Sequence, residues 1–431
     1  MDGILTSTIA ALSLAVAPMT EITARLNLAQ NGQEANDTSS FPVLSKSGRI
    51  VAFRSNASDL VPGDTNQRPD VFVRDLATGK LARCSVSSSG QQGNFGSSAN
   101  AISANDRFVL FFSAASNLVD GDTNGSGDIF LRDLQLNATE RVSIGNDGHE
   151  GNGIAGYSDI SGDGRYVAFD SDATNLVEGD TNGRRDVFLR DRWLGTTVIV
   201  SVSSDGQQGD YDSWQPRITP DGRFVCFNSQ AGTLVEGDLN IRQDVFIHDM
   251  WTGETERVSL RTDGGEGNGD SGLGAVTPDG RFVSMQSSAS NFASGDTNRT
   301  SDGFVYDRWK KTITRVSVRS DGGQGNHGGG AGGMTDDGRY VLIGSPSTNL
   351  TDDGDINDRL LDVFMHDMWS GETWRISNNT NGEQGNAQSE ASVMSANGMI
   401  VAFASNATNL APNDTNGFMD IFVHINSRLR R

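Results

Sequence analysis

Seven acidic loops carry the residue types best suited to holding a metal ion in this chain. Six share the pattern Asp-x-Asn-x-x-x-Asp: Asp64/Asn66/Asp70, Asp122/Asn124/Asp128, Asp180/Asn182/Asp186, Asp238/Asn240/Asp244, Asp296/Asn298/Asp302 and Asp414/Asn416/Asp420. The remaining copy, Asp355/Asn357/Asp362, has one extra residue. Calcium is a hard cation that takes about six to eight oxygens from carboxylates, amides, backbone carbonyls and water. Alternating Asp and Asn in a tight loop offers side-chain oxygens to one centre, and a carboxylate three or four residues later closes it. The EF-hand pattern is poorly matched, because most copies lack an acidic residue at the fifth loop position and a Glu at the twelfth. Turn chemistry is the competing reading, since Asp and Asn side chains also bond nearby backbone N–H groups. Like charge favours the cation: two carboxylates in one loop repel unless a positive charge lies between them. Seven divalent ions would supply about +14 and bring the net charge of −21 to about −7.

The spacing of these loops shows what positions them. From Asp64 to Asp122 is 58 residues, and the following steps are 58 or 59. A period of that size marks one supersecondary unit copied seven times. The third copy is the clearest. Short runs near Ser158–Ile160, Tyr166–Phe169, Val187–Leu189 and Val198–Val202 are rich in Val, Ile, Phe or Tyr and bounded by Gly, Asp, Asn or Ser. Such runs read as strands. Asp163-Gly164 reads as the tight turn joining the first two, because Gly accepts positive φ. Four antiparallel strands per copy, seven times over, predict an all-β chain: a closed seven-bladed β-propeller over residues 22–426.

The two ends of the repeat array fit together. The last copy stops at Asp420–His424, before its fourth strand. Arg25-Leu26-Asn27-Leu28, followed by Asn31-Gly32, matches Arg315-Val316-Ser317-Val318, followed by Asp321-Gly322. The N-terminal strand is therefore expected to complete blade seven and remove the open sheet edges.

The runs Asp163-Gly164-Arg165-Tyr166-Val167-Ala168-Phe169 and Asp221-Gly222-Arg223-Phe224-Val225-Cys226-Phe227, each followed by Asp-Val-Phe-x-x-Asp, resemble the WD40-like propeller repeats of the TolB type. The resemblance spans nearly the whole chain. Asn105-Asp106-Arg107 departs from it in blade two, and Met399 replaces the Arg in blade seven. It implies a propeller. Members of that family serve as binding scaffolds in the bacterial cell envelope and as non-catalytic domains of hydrolases; no second domain of either kind is read here.

Composition narrows the function. With 55 acidic against 34 basic residues, the surface repels nucleic acid and anionic membranes. Residues 1–21 are apolar from Ile4 to Met19 but lack a basic start, and the run is short for a membrane span. They are read as a docking peptide or a targeting remnant, and residues 427–431 as a basic tail. Cys84 and Cys226 lie three blades apart, too far for a disulfide.

Further candidates sit at repeated positions. Trp193, Trp251, Trp309 and Trp369 each follow the Asp closing the third strand by two residues. They are expected on the face opposite the acidic loops, where they would stack on sugar rings, anchor a protein partner or cover their own hairpins. His248, His366 and His424 share one structural position. The Gly-rich run His327–Met334 is expected to line the channel, where a ligand or another segment approaches closely. Among catalytic motifs, only the non-repeating Tyr211, Asp212, Trp214 and Arg217 of blade four stand out. The expected function is a non-enzymatic, calcium-stabilised binding or assembly module with a protein or glycan partner. Its expected place is extracellular, periplasmic or cell-surface, in a bacterium or phage. The alternatives are a polysaccharide-acting enzyme with its site at the channel mouth, or a subunit of a larger assembly docked through residues 1–21.

Overall fold

The computed structural model describes residues 21–240 and 242–430. Except for Glu21, the apolar segment read as a docking peptide lies outside the described residues. The described chain forms seven four-stranded antiparallel sheets, and every sheet but the last is built from four consecutive strands. Blade three shows the plan: Ala155–Ile160 lines the centre, followed outward by Tyr166–Ser171, Asp186–Asp191 and Thr196–Ile199. The outer run was expected to reach Val202. It ends as a strand at Ile199, and Val202 forms an isolated bridge to Gln208 in the crossing to the next blade.

The two middle strands of each blade are buried on both faces because neighbouring blades cover them. Phe169 and Phe188 are fully buried and stack with centroids 5.7 Å apart. Blades one, two, four and seven repeat this pair. Removing one such ring costs about 3–5 kcal/mol. Gly164 adopts φ +81, and a Cβ there would meet the Phe108 ring of the preceding blade at 2.2 Å. Turn geometry and blade packing therefore both require glycine. In blade two Asp106 takes the equivalent left-handed conformation, with φ 60.

The ring closes as expected. Ile22–Arg25 pairs antiparallel with Asp420–Ile425, placing Ile22 opposite Ile425 and Arg25 opposite Phe422. The closing strand ends at Arg25 rather than beginning there. The match to Arg315 still holds, because Arg315 is also the last residue of its strand, and the Leu28–Glu34 bridge repeats Val318–Gln324. The chain ends in a 3-10 turn, Ser427–Arg430, with Arg428 3.1 Å from Glu21.

Candidate functional site

The second Asp of each acidic loop opens the third strand, where burial is almost complete. Asp70, Asp128, Asp186, Asp244, Asp302, Asp362 and Asp420 are all buried. In blades one to six one carboxylate oxygen accepts from a serine 15 residues on, as Asp70 does from Ser85 at 2.6 Å and Asp186 from Ser201 at 2.5 Å. In blade seven Asn27 takes the role, at 2.6 Å from Asp420.

In six of the seven loops the asparagine oxygen is already engaged by the backbone. Asn66 Nδ2 donates to Asp70 at 3.2 Å and to the Gly93 carbonyl at 2.9 Å, while its Oδ1 accepts from Arg68 N. Asn124, Asn182, Asn240 and Asn298 repeat the arrangement. Asn357 and Asn416 likewise turn Nδ2 toward the second Asp. In six loops the asparagine carbonyl oxygen is spent on a backbone N–H, as a turn builder's is, whereas Asn357 Oδ1 is buried without a partner among the described residues.

In five loops an arginine of the chain itself bridges the two carboxylates, and in a sixth an arginine reaches one of them. The last residue of the outer strand is Arg83, Arg141, Arg257, Arg315, Arg375 or Arg25. Arg141 lies 3.5 Å from Asp122 and 3.3 Å from Asp128. Arg257 lies 3.0 Å from Asp238 and 3.5 Å from Asp244. Arg25 lies 3.2 Å from Asp414 and 2.9 Å from Asp420. Arg83 and Arg315 bridge their two carboxylates at 3.4 to 3.7 Å. In blade six Arg375 approaches Asp362 at 3.6 Å, and Gln384 bonds both Asp355 and Asp362 at 2.8 Å. At the five bridged loops the repulsion between the two carboxylates is met by the chain's own arginine, and in blade six by Gln384 together with Arg375 on Asp362. Sequence reasoning missed the arginines although they recur at the repeat spacing.

Blade three breaks the rule. Ile199 stands where the arginine belongs. Both carboxylate oxygens of Asp180 are buried without a hydrogen-bond partner among the described residues. Burial, with Asp180 and Asp212 nearby, pushes Asp186 up to about 6.

On the opposite face lie the tryptophans. Arg165, from the hairpin joining strands one and two, bonds Asp191 at the end of strand three at 2.6 Å, so the two hairpins share one face. Its guanidinium lies 4.6 Å from the Tyr166 ring and 4.9 Å from the Trp193 ring. Arg223 lies between Phe224 and Trp251, Arg281 between Phe282 and Trp309, and Arg339 between Tyr340 and Trp369, at 4.4 to 4.7 Å. Despite this contact, Trp193, Trp251, Trp309 and Trp369 are 66%, 69%, 65% and 70% exposed.

The first strands of all seven blades line a central cavity of about 490 Å³. The Gly-rich strand Gly330–Met334 borders it, but what approaches closely is the adjacent blade. A Cβ at Gly274 would lie 2.4 Å from the Ala331 carbonyl, and Ser284 donates to Gly332 O at 2.7 Å. The blade-four candidates are separated. Tyr211 stacks under Arg184 in a loop and Asp212 accepts from Arg185 N, while Arg217 lines the cavity near Asp159. His248 and His366 bond Thr255 and Thr373 at 2.8 Å, and His424 bonds Thr23 at 3.0 Å. Cys84 and Cys226 are buried free thiols.

No protein-family model matches the chain, and no curated protein matches its sequence. Among solved structures, an oligogalacturonate lyase in complex with manganese aligns at 11% identity over 95% of this chain and 94% of that one, with a TM-score of 0.57. The β-propeller domain of the Trilobed protease from Pyrococcus furiosus aligns at 12% identity over 90% and 95%, with a TM-score of 0.52. That domain is described as having an open velcro topology, whereas here the N-terminal strand closes the ring. TolB from Acinetobacter baumannii aligns at 12% identity over 83% and 76%, with a TM-score of 0.40. The seven-bladed architecture that the repeats implied is the one the strand order shows, and at these identities the first two matches speak for fold alone. Among the described residues no helix is long and apolar enough to cross a membrane.

Proposed function

We propose that this propeller is a non-catalytic binding module that recognises a neutral glycan through Trp193, Trp251, Trp309 and Trp369. The observation that carries the reading is their combination of exposure and fixation. Four indole rings on consecutive blades are each held by an arginine, yet remain about two-thirds in solvent. Exposed apolar surface of this kind marks interaction sites. A ring oriented in advance loses little freedom on binding. Equivalent platforms repeated at the blade pitch suit a ligand that itself repeats, as a polysaccharide does. The arginines are neutralised by Asp191, Asp249, Asp307 and Asp367, and the chain as a whole is acidic, which disfavours polyanionic glycans. Such a ligand places the module in an extracellular, periplasmic or cell-surface setting.

The test is the Trp251→Ala/Trp309→Ala double variant, read by melting curve and by retention on immobilised neutral and acidic polysaccharides. The expected result is a small stability change, about 1 kcal/mol per lost cation–π contact, with retention on one neutral glycan reduced at least about tenfold. Binding to no glycan by the wild type, or equal retention by the variant, would refute the proposal. Loss of a protein partner alone would reassign the surface to protein recognition.

A further inference from the structure

We propose that blade three holds one hard divalent cation of the calcium class between Asp180 and Asp186, in the place that an arginine fills in the other six blades. The inference is independent of the tryptophan surface. Its basis is an internal comparison: the same two carboxylates occur seven times, five times with a guanidinium bridging both and a sixth time, in blade six, with one on Asp362. Only in blade three does the outer strand end in an aliphatic residue, Ile199, which packs into the apolar cluster shared by blades two and three.

Nearby cations of the chain do not substitute. Arg185 bonds Asp170 at 2.5 Å, and Arg184 stacks on Tyr211 at 4.9 Å. Gln208 also behaves differently from two of its counterparts, though like Gln92 of blade one it gives nothing to the carboxylates. Gln324 and Gln384 donate to both Asp residues of their loops, whereas Gln208 turns its Nε2 to the Gly179 carbonyl at 2.8 Å. Its Oε1 accepts from Thr181 N and Asn182 N, both at 3.2 Å. Asp180 is thus left with two buried oxygens and no donor among the described residues. Burying a carboxylate without a partner costs several kcal/mol, so a charged ligand belongs there.

The donors on offer are all oxygen. Asp180 supplies both carboxylate oxygens. Asp186 keeps Oδ2, which accepts only from Asn182 at 2.8 Å. The Gly179 carbonyl is the counterpart of Gly121, Gly354 and Asn413 carbonyls, which accept from the arginine Nη2 at 3.3, 2.6 and 3.1 Å. Two carboxylates, one carbonyl and water form a set for a hard cation, without the nitrogen or sulfur that would favour zinc or copper.

The experiment uses the full chain treated with chelator and then dialysed. Calcium, magnesium, sodium and potassium are titrated separately by calorimetry and by melting temperature, for the wild type, Ile199→Arg and Asp180→Asn. The wild type is expected to take up one equivalent of calcium and to melt higher with it. Both variants should lose that uptake, and Ile199→Arg in chelator should melt no lower than the wild type in chelator. If Ile199→Arg does not fold, the isosteric Asp180→Asn decides. The proposal is overturned by a folded wild type that takes up no divalent cation. It is equally overturned by undiminished uptake in Asp180→Asn, by a stoichiometry near seven, or by sodium or potassium stabilising as well as calcium.

Discussion

Arg25 Nη1 donates to Asp420 Oδ2 at 2.9 Å across 395 residues of sequence. The same guanidinium reaches Asp414 and Glu34, so the contact that closes the ring is also the blade-seven version of the contact between outer-strand arginine and acidic loop. Blade seven takes from the N-terminus both its fourth strand and its counter-charge.

Removing residues 1–30 is therefore expected to strip blade seven of a strand and leave Asp414 and Asp420 buried without a cation. The melting temperature should fall steeply, or the protein should be insoluble. Breaking the ion pair alone, by Arg25→Ala, should cost about 3–5 kcal/mol. Removing residues 1–20 should leave the melting curve unchanged. A 1–30 deletion that melts like the full chain would show that the closure contributes nothing.

The internal comparison can be run in the other direction. Arg141→Ile gives blade two the residue that blade three carries, leaving Asp122 and Asp128 with no guanidinium between them. The expected cost is about 3–5 kcal/mol in chelator. Part of it should be recovered by calcium, with one additional equivalent taken up. A variant whose stability loss is indifferent to calcium would show that an emptied loop does not bind the ion by composition alone.

The architecture was legible in the sequence because it is written seven times. Period, turn glycines and the Arg25/Arg315 match are local patterns that repetition makes plain. The charge state of the acidic loops was not. Asp64 and Arg83 are separated by a full strand and meet only because strands three and four pair, so a reading confined to the loop sees two carboxylates and no counter-ion. The informative signal was the single exception, Ile199. The Gly-rich strand of blade six was hidden for a similar reason: its neighbour Gly274 lies in a different blade.

Histidine burial produces a pH dependence that difference measurements isolate. Burial pushes His366 down to about 4, with Asp367 opposing. Its folded pKa lies below the ordinary value near 6.5. The neutral ring's contribution is thus complete above pH 6.5 and is lost as pH falls toward 4, up to about 3 kcal/mol. Asp244, Asp362 and Asp414, pushed up to about 6 mainly by burial, act in the opposite sense over part of that range. The wild-type curve alone therefore mixes both effects. His366→Gln retains a hydrogen-bonding partner for Thr373 but does not titrate. The stability difference between variant and wild type should shift in favour of the variant between pH 6.5 and 4. A difference independent of pH would mean that His366 titrates normally.

The glycines beside the channel separate packing from ligand contact. Gly274 has no positive φ to protect, yet a Cβ there would meet the Ala331 carbonyl at 2.4 Å and Ser284 Oγ at 2.6 Å. The obstacle is largely the backbone of blade six, which cannot move without shifting its strand. Gly274→Ala should therefore cost about 1–3 kcal/mol, as overpacking does. At Gly332 the nearest atom to a new Cβ is Leu342 O, at 3.9 Å, which is ordinary contact. Gly332→Ala should melt like the wild type. Both residues border the cavity, so a role in admitting a ligand would give the two variants similar binding defects whatever their stability. If blade contact is the whole reason for glycine here, only Gly274→Ala changes anything, and it changes the melting temperature. Equal melting temperatures for the two variants would contradict the packing account.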